Sequence, residues 1–169
     1  LITGMPGVGK TTLIRKLADK LEKFWPVGFY TAEIREKGTR RGFELIALDG
    51  RKTLLSHVKI KSRYRVGKYC VDLDGFERFL ESIDFFRPDS QIVVIDEVGK
   101  MECFSPIFRD LLRQSLDAKK PLLATIASKG GGIISEAKSR ADIRLFEITI
   151  GNRDILGEEV FRQMKEVLG

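Results

Sequence analysis

Gly4-Met5-Pro6-Gly7-Val8-Gly9-Lys10-Thr11 fills the pattern G-x-x-x-x-G-K-[ST] at every fixed position, and Thr12 follows directly. Each residue type has a physical task in such a loop. Gly4, Gly7 and Gly9 permit backbone turns that a Cβ would obstruct, so that successive N–H groups converge on phosphate oxygens. A helix beginning near Lys10 adds the positive end of its dipole at the same point. The Lys10 ammonium reaches the β- and γ-phosphates of a nucleotide, and the Thr11 hydroxyl is a ligand for Mg²⁺. An apolar strand end, Leu1 to Thr3, comes before the loop and an amphipathic segment after it, which is the context the pattern requires. Residues 4–12 therefore imply a phosphate site with Mg²⁺ as its cofactor.

A second group of residues supplies acids. Ile92-Val93-Val94-Ile95 is an apolar run that ends in Asp96-Glu97. A strand of this kind next to a phosphate loop presents its Asp to Mg²⁺, usually through water, and Asp96 takes that role. Glu97, one residue on, points to the other face of the strand or into the loop. There a carboxylate can accept a proton from a water in line with the γ-phosphorus, so Glu97 is the candidate general base. Asp96-Glu97-Val98-Gly99 also spells the D-x-x-G of guanine-nucleotide switches. Those carry N-K-x-D for guanine, whereas Asn152-Arg153-Asp154 is one residue too short and has Arg in place of Lys, which disfavours a switch. Lys100 is a candidate cation for charge on the transferring phosphate, acting in cis as an arginine finger does. Glu102 would anchor Lys100 or its loop. Glu33 and Arg35, at the end of a predicted strand, are candidates for contact with a second substrate or the attacking water. Asn152, Arg153 and Asp154 follow the last predicted strand, where loops commonly hold the base.

The elements that must position these residues alternate between short apolar runs and amphipathic segments, the pattern of an α/β sheet. Leu13, Leu17 and Leu21 form one face of a helix over residues 10–23. Val27 to Arg35 reads as a strand. Phe24, Trp25, Phe29 and Tyr30 are expected to pack the first helix onto the sheet. Between Glu36 and Val71 the helical period vanishes and turn signals appear at Lys37-Gly38, Asp49-Gly50 and Gly67, which predicts a β-rich insertion of hairpins. A helix is expected over 75–85, capped by Asp74 with Glu77 three residues on. Strands are expected over 91–96, 121–127 and 143–150, with Ser105-Pro106 opening a helix whose core face is Ile107, Leu111, Leu112 and Leu116. A final helix turns Val160, Met164 and Val167 inward.

The chain has 169 residues, 43% hydrophobic and 32% charged, which suits one domain spanning 1–169 with a single real core. Its apolar runs fall far short of the roughly 20 residues of a membrane span, and a soluble, cytoplasmic monomer is the expectation. The motif at Gly4 leaves no room for a secretory signal, and a few strand residues before Leu1 are expected to be missing. One histidine (His57) and two cysteines (Cys70 and Cys103) argue against His-based catalysis, a disulfide framework and a four-ligand metal centre. The net charge is +6, but residues 35–68 alone carry +8. Such a block suits nucleic acid or a phosphate-rich ligand, and equally a solvated two-faced hairpin. Nucleic acid is not the favoured partner.

Taken together, Gly4–Thr11, Asp96-Glu97-Val98-Gly99-Lys100-Met101-Glu102 and Asn152-Arg153-Asp154 resemble the signatures of the nucleoside-triphosphatase family first recognised in thermophiles, which has a human cancer-related member. Thr31-Ala32-Glu33-Ile34-Arg35, Arg41-Gly42-Phe43 and Leu48-Asp49-Gly50 extend the resemblance over nearly the whole chain. Met5, often acidic in that family, and Cys103, often apolar, are mild departures. The resemblance implies a RecA-like P-loop core, mostly parallel, with one strand between the phosphate-loop strand and the Asp96 strand. It also implies Mg²⁺-dependent hydrolysis of ATP, GTP, CTP and UTP to the diphosphate and phosphate. Two other readings share the phosphate loop. One is a kinase acting on a nucleoside, nucleotide or polynucleotide end, and the other an NTP-gated module that binds nucleic acid.

Overall fold

The computed structural model describes all 169 residues. Along the chain the strands are β1 (Ile2–Thr3), β2 (Val27–Glu36), β3 (Thr39–Ala47), β4 (Lys52–His57), β5 (Arg65–Val66), β6 (Tyr69–Val71), β7 (Val93–Val98), β8 (Leu122–Ile126) and β9 (Phe146–Glu147). The helices are α1 (Lys10–Lys20), α2 (Leu73–Glu81), α3 (Pro106–Asp117), α4 (Ile133–Ser139) and α5 (Arg153–Leu168). All nine strands join one sheet in the order β5-β6-β4-β3-β2-β7-β8-β1-β9. From β2 to β9 every pairing is parallel, and β8 lies between β1 and β7 as the resemblance implies.

The segment expected as an insertion is part of this sheet. β2 pairs with β7 only over Val27–Phe29, while its pairing with β3 runs from Phe29 to Glu36. The free length of β2 thus serves as a template, and β3, β4, β6 and β5 extend the sheet antiparallel from it.

Side-chain alternation along β7 divides the core in two, because successive residues of a strand face opposite sides. Val93 and Ile95 join Phe29 beneath Phe76 and Phe79 of α2, Phe108 and Leu112 of α3, and Ile133, Ile134 and Ala137 of α4. Ile92 and Val94 join Ile2 and Leu123 beneath Leu13, Ile14 and Leu17 of α1 and Leu156 and Val160 of α5.

This division corrects the expected aromatic packing. Phe29 belongs to the α2 side, edge-on to Phe76, Phe79 and Phe85, and Trp25 is exposed. Only Phe24 packs into the α1 layer, and Tyr30 meets α1 through the Arg15 guanidinium, 4.6 Å from its ring centre.

Several element ends differ from expectation for local reasons. α1 stops at Lys20, and Glu22–Phe24 continues as a 3-10 turn. α2 is capped by Asp72, whose carboxylate accepts from the Gly75 N–H at 3.1 Å, because the helix starts early enough to bury Leu73. Asp74 is left exposed, and Glu77 accepts instead from the Ser105 hydroxyl at 2.7 Å, linking α2 to α3. In α3 the buried residue of the first turn is Phe108, and Ile107 is only partly buried. The strand expected over 143–150 is confined to Phe146–Glu147, which pair with Ile2 and Thr3 of β1. α4 was not anticipated: its seven residues follow a glycine run and bury Ile133, Ile134 and Ala137. In α5 the i, i+4 stripe from Leu156 and Val160 passes through Met164 to Leu168, which leaves Val167 on the solvent side. No helix is long and apolar enough to cross a membrane.

Ser105 is fully buried, accepts from the Phe108 N–H at 3.0 Å and donates to Glu77. Ser105→Ala removes an N-cap and should lower stability by about 1–2 kcal/mol, read as a lower urea midpoint at unchanged slope. An unshifted midpoint would show that the cap contributes nothing.

Candidate active site

Parallel strands bring the C-terminal ends of β1, β8, β7 and β2 to one edge of the sheet, and the chemistry-bearing residues gather there. The loop leaving β1 turns through Gly7 (φ 79°) and Gly9 (φ 111°), backbone settings that L side chains rarely adopt. A Cβ on Gly4 would lie 2.5 Å from the Ile148 carbonyl oxygen, so glycine there lets the loop lie against the segment after β9. Val8 packs into the core, whereas Met5, Pro6 and Thr12 are exposed. Lys10 is buried and curls back over the loop, its Nζ donating to the Gly4 and Met5 carbonyls at 3.1 and 3.3 Å. The same ammonium lies 3.7 Å from Glu97 Oε2.

Asp96 is completely buried. Its Oδ2 accepts from the Thr11 hydroxyl at 2.8 Å and the Thr31 N–H at 3.2 Å, and its Oδ1 accepts from the Thr125 hydroxyl. The Thr31 hydroxyl also donates to the Asp96 carbonyl at 2.6 Å. Burial raises the carboxyl's pKa above the usual range, opposed by these donors and by Lys10. Sequence alone assigns neither Thr31, named only within the resemblance, nor Thr125 a role beside Asp96. The available signal was a hydroxyl residue within each strand flanking β7, visible only once strand order is known.

Glu97 is about one-third exposed, and burial raises its pKa while Lys10 opposes the shift. The pairing of β7 with β8 changes register between Ile95 and Val98. Through that irregularity Asp96 and Glu97 both meet residues of the phosphate loop instead of facing opposite sides of the sheet. Glu102, in a 3-10 turn over Glu102–Phe104, is buried and packs against Gly99, where an added Cβ would lie 2.8 Å from its Oε2. Burial first, then the negative charge of Glu97 and Asp96, pushes it up to about 8, against the pull of nearby backbone N–H groups. Glu102 thus braces the loop and forms no ion pair with Lys100, which is exposed and unpaired. Burial pushes the nearby Cys103 thiol up to about 12, in keeping with a packed thiol.

The remaining candidates lie further out. Glu33 binds Arg35 and Arg40 at 2.6 and 2.7 Å on the β2–β3 hairpin, and these arginines hold its carboxyl below the usual range. Glu36 likewise holds Arg41 and Lys59, and Asp49 holds Arg51, so acids within reach neutralise part of the basic excess. Asn152 Oδ1 accepts from the Thr149 N–H, and its Nδ2 donates to the Glu147 carbonyl, each at 2.8 Å. Arg153 and Asp154 are exposed in the first turn of α5.

The Asp96 carboxylate and the Thr11 hydroxyl form a pair of hard oxygen donors beside a phosphate-binding loop. That set suits Mg²⁺, which favours a few protein oxygens completed by water and phosphate.

Comparison with known proteins agrees with this fold. A family model described as NTPase matches residues 1–161. Nucleoside-triphosphatase THEP1 of Thermotoga sp. (strain RQ2) is 41% identical over 166 residues, covering 98% of this chain and 94% of the relative. The cancer-related nucleoside-triphosphatase of Homo sapiens is 40% identical over 171 residues, covering 92% and 90%. The crystal structure of THEP1 from Aquifex aeolicus matches with a TM-score of 0.86 at 35% identity and covers 94% of each chain.

A buried acid whose pKa is raised on folding stabilises the fold below its unfolded value of 4.5, and that contribution is lost as pH rises to about 8. Glu102→Gln, which mimics the neutral acid, should remove this decline. The melting temperature of the wild type relative to Glu102→Gln should therefore fall between about pH 5 and pH 8. Parallel curves would show that Glu102 does not titrate in this range.

Proposed function

The chain belongs to the NTPase family and is a nucleoside-triphosphatase, and we propose that it hydrolyses ATP, GTP, CTP and UTP with Mg²⁺, using Glu97 as general base. The observation that carries this reading is the Lys10–Glu97 approach of 3.7 Å beside the Asp96–Thr11 pair. An ammonium, a carboxylate and a hydroxyl–carboxylate pair within one side chain's reach of each other support these roles.

Lys10 binds the β- and γ-phosphate oxygens in place of the Gly4 and Met5 carbonyls, and the start of α1 directs its dipole at them. Thr11 and Asp96 would hold Mg²⁺, which when bound neutralises charge on the phosphate oxygens. Glu97, its basicity raised by burial, takes a proton from water as the water oxygen bonds to the γ-phosphorus. The bond from that phosphorus to the β–γ bridging oxygen breaks, and its electron pair leaves with the diphosphate. Lys100, free of any ion pair and three residues past Glu97, is available to neutralise charge on the transferring phosphate. Breadth toward the base is supported by the missing N-K-x-D and by Asn152, whose amide bonds at both ends within its own loop.

Asp96 and Glu97 should separate by mutation. Glu97→Gln should lower kcat about 10²–10⁴-fold with the nucleotide dissociation constant nearly unchanged, since the base acts only as the transition state forms. Asp96→Asn should weaken Mg²⁺-dependent binding and turnover together. The measurement is the nucleotide dissociation constant beside the single-turnover rate for each variant. Near wild-type hydrolysis by Glu97→Gln would remove Glu97 as the base.

A further inference from the structure

A triphosphate has a direction on this sheet edge. Asp96 and Glu97 lie in the C-terminal half of β7, so the γ-phosphate, where water attacks, lies on the β7 side of the loop. Sheet order from there is β7, β8, β1, β9, with neighbours about 4.8 Å apart. The α-phosphate, ribose and base therefore extend across the loop, past β1, toward β9 and the segment that follows it.

That region presents apolar surface. Ile150 is 78% exposed, Ile155 71% and Met5 70%, the three most exposed large hydrophobic side chains of the chain. They are gathered by the backbone: the Ile148 N–H donates to the Thr3 carbonyl at 2.8 Å, and Gly4 lies against Ile148. Met5 follows on one side, and Ile150 and Ile155 flank Asn152 on the other. Within the segment Asn152 and Thr149 are engaged with each other, while Asp154 in the first turn of α5 is exposed and makes no ion pair. Asn152 bonds to Thr149 and Glu147, and its N–H donates to the Thr149 hydroxyl at 3.3 Å. Arg153 remains free, and a guanidinium stacks on any base face.

We propose that Met5, Ile150 and Ile155 form an apolar platform for the nucleobase, which holds purines and pyrimidines through contact area and not through hydrogen-bond readout. The proposal rests on the triphosphatase reading and deepens it, because a platform of this kind gives the breadth of substrate a physical cause. Apolar contact separates similar ligands weakly, whereas groups that hydrogen-bond to the ligand separate them strongly.

The test is the dissociation constant of Ile150→Ser/Ile155→Ser with each of ATP, GTP, CTP and UTP, beside inorganic tripolyphosphate, all with Mg²⁺. Both side chains are exposed, so the variant should keep the wild-type melting temperature. Affinity for all four nucleotides should fall about tenfold and to a similar extent, while tripolyphosphate, which has no base, should change less than about twofold. Unchanged nucleotide affinity, or a loss confined to one base, would overturn the platform. A parallel loss for tripolyphosphate would also overturn it, assigning the residues to loop shape. If the wild type sediments as a dimer that the substitutions dissociate, the face belongs to a second copy of the chain. Failure of wild-type protein to bind any of these ligands would instead remove the triphosphatase reading beneath the proposal.

Discussion

The buried carboxylate of Asp96 holds the site together. Its donors come from three elements: Thr11 from α1, Thr31 from β2 and Thr125 from β8. A carboxylate has about four lone-pair positions, and three are taken by these donors. The Thr11 hydroxyl donates its proton to Asp96 and so keeps its own lone pairs unused within the protein. Taking such a group out of water is costly unless it is bonded, and meeting that demand fixes the first turn of α1 relative to two strands. The phosphate loop, which joins β1 to α1, is thereby positioned as well.

Charge follows from this arrangement. Asp96, Glu97 and Glu102 crowd one end of β7, and Lys10 is the cation in reach of Glu97. Burial raises all three carboxyls. A neutral Glu102 beneath Gly99 is compatible with two acids above it, where a third negative charge would be repelled. The outer acids behave differently: Glu33, Glu36 and Asp49 each have an arginine or lysine at the surface. The +8 of residues 35–68 is thus partly a set of exposed ion pairs on an extended sheet edge. Isolated pairs of that kind contribute little to stability, and charged edge strands discourage edge-to-edge pairing.

The phosphate loop, Asp96 and Glu97 were legible because their chemistry is local: a run of eight residues, and two acids ending an apolar strand. Thr31 and Thr125 were not, since each becomes a partner of Asp96 only through strand order. Asn152 follows the last strand as the sequence implies, but its amide completes that loop, a use that no spacing reveals. Asp74 lost the cap to Asp72 because burying Leu73 moved the start of the helix. The hairpins between Glu36 and Val71 were legible as strands, but their continuity with the sheet depends on the length of β2 beyond β7. In each case the missed feature was decided by packing between segments distant in sequence.

The central claim is that water, placed by Glu97, attacks the γ-phosphorus at this site. A single turnover of ATP in water labelled with heavy oxygen tests it most directly, with products analysed by mass. The account predicts one labelled oxygen in the released phosphate and none in the diphosphate. Label in the diphosphate, or turnover only when an acceptor is supplied, would contradict it.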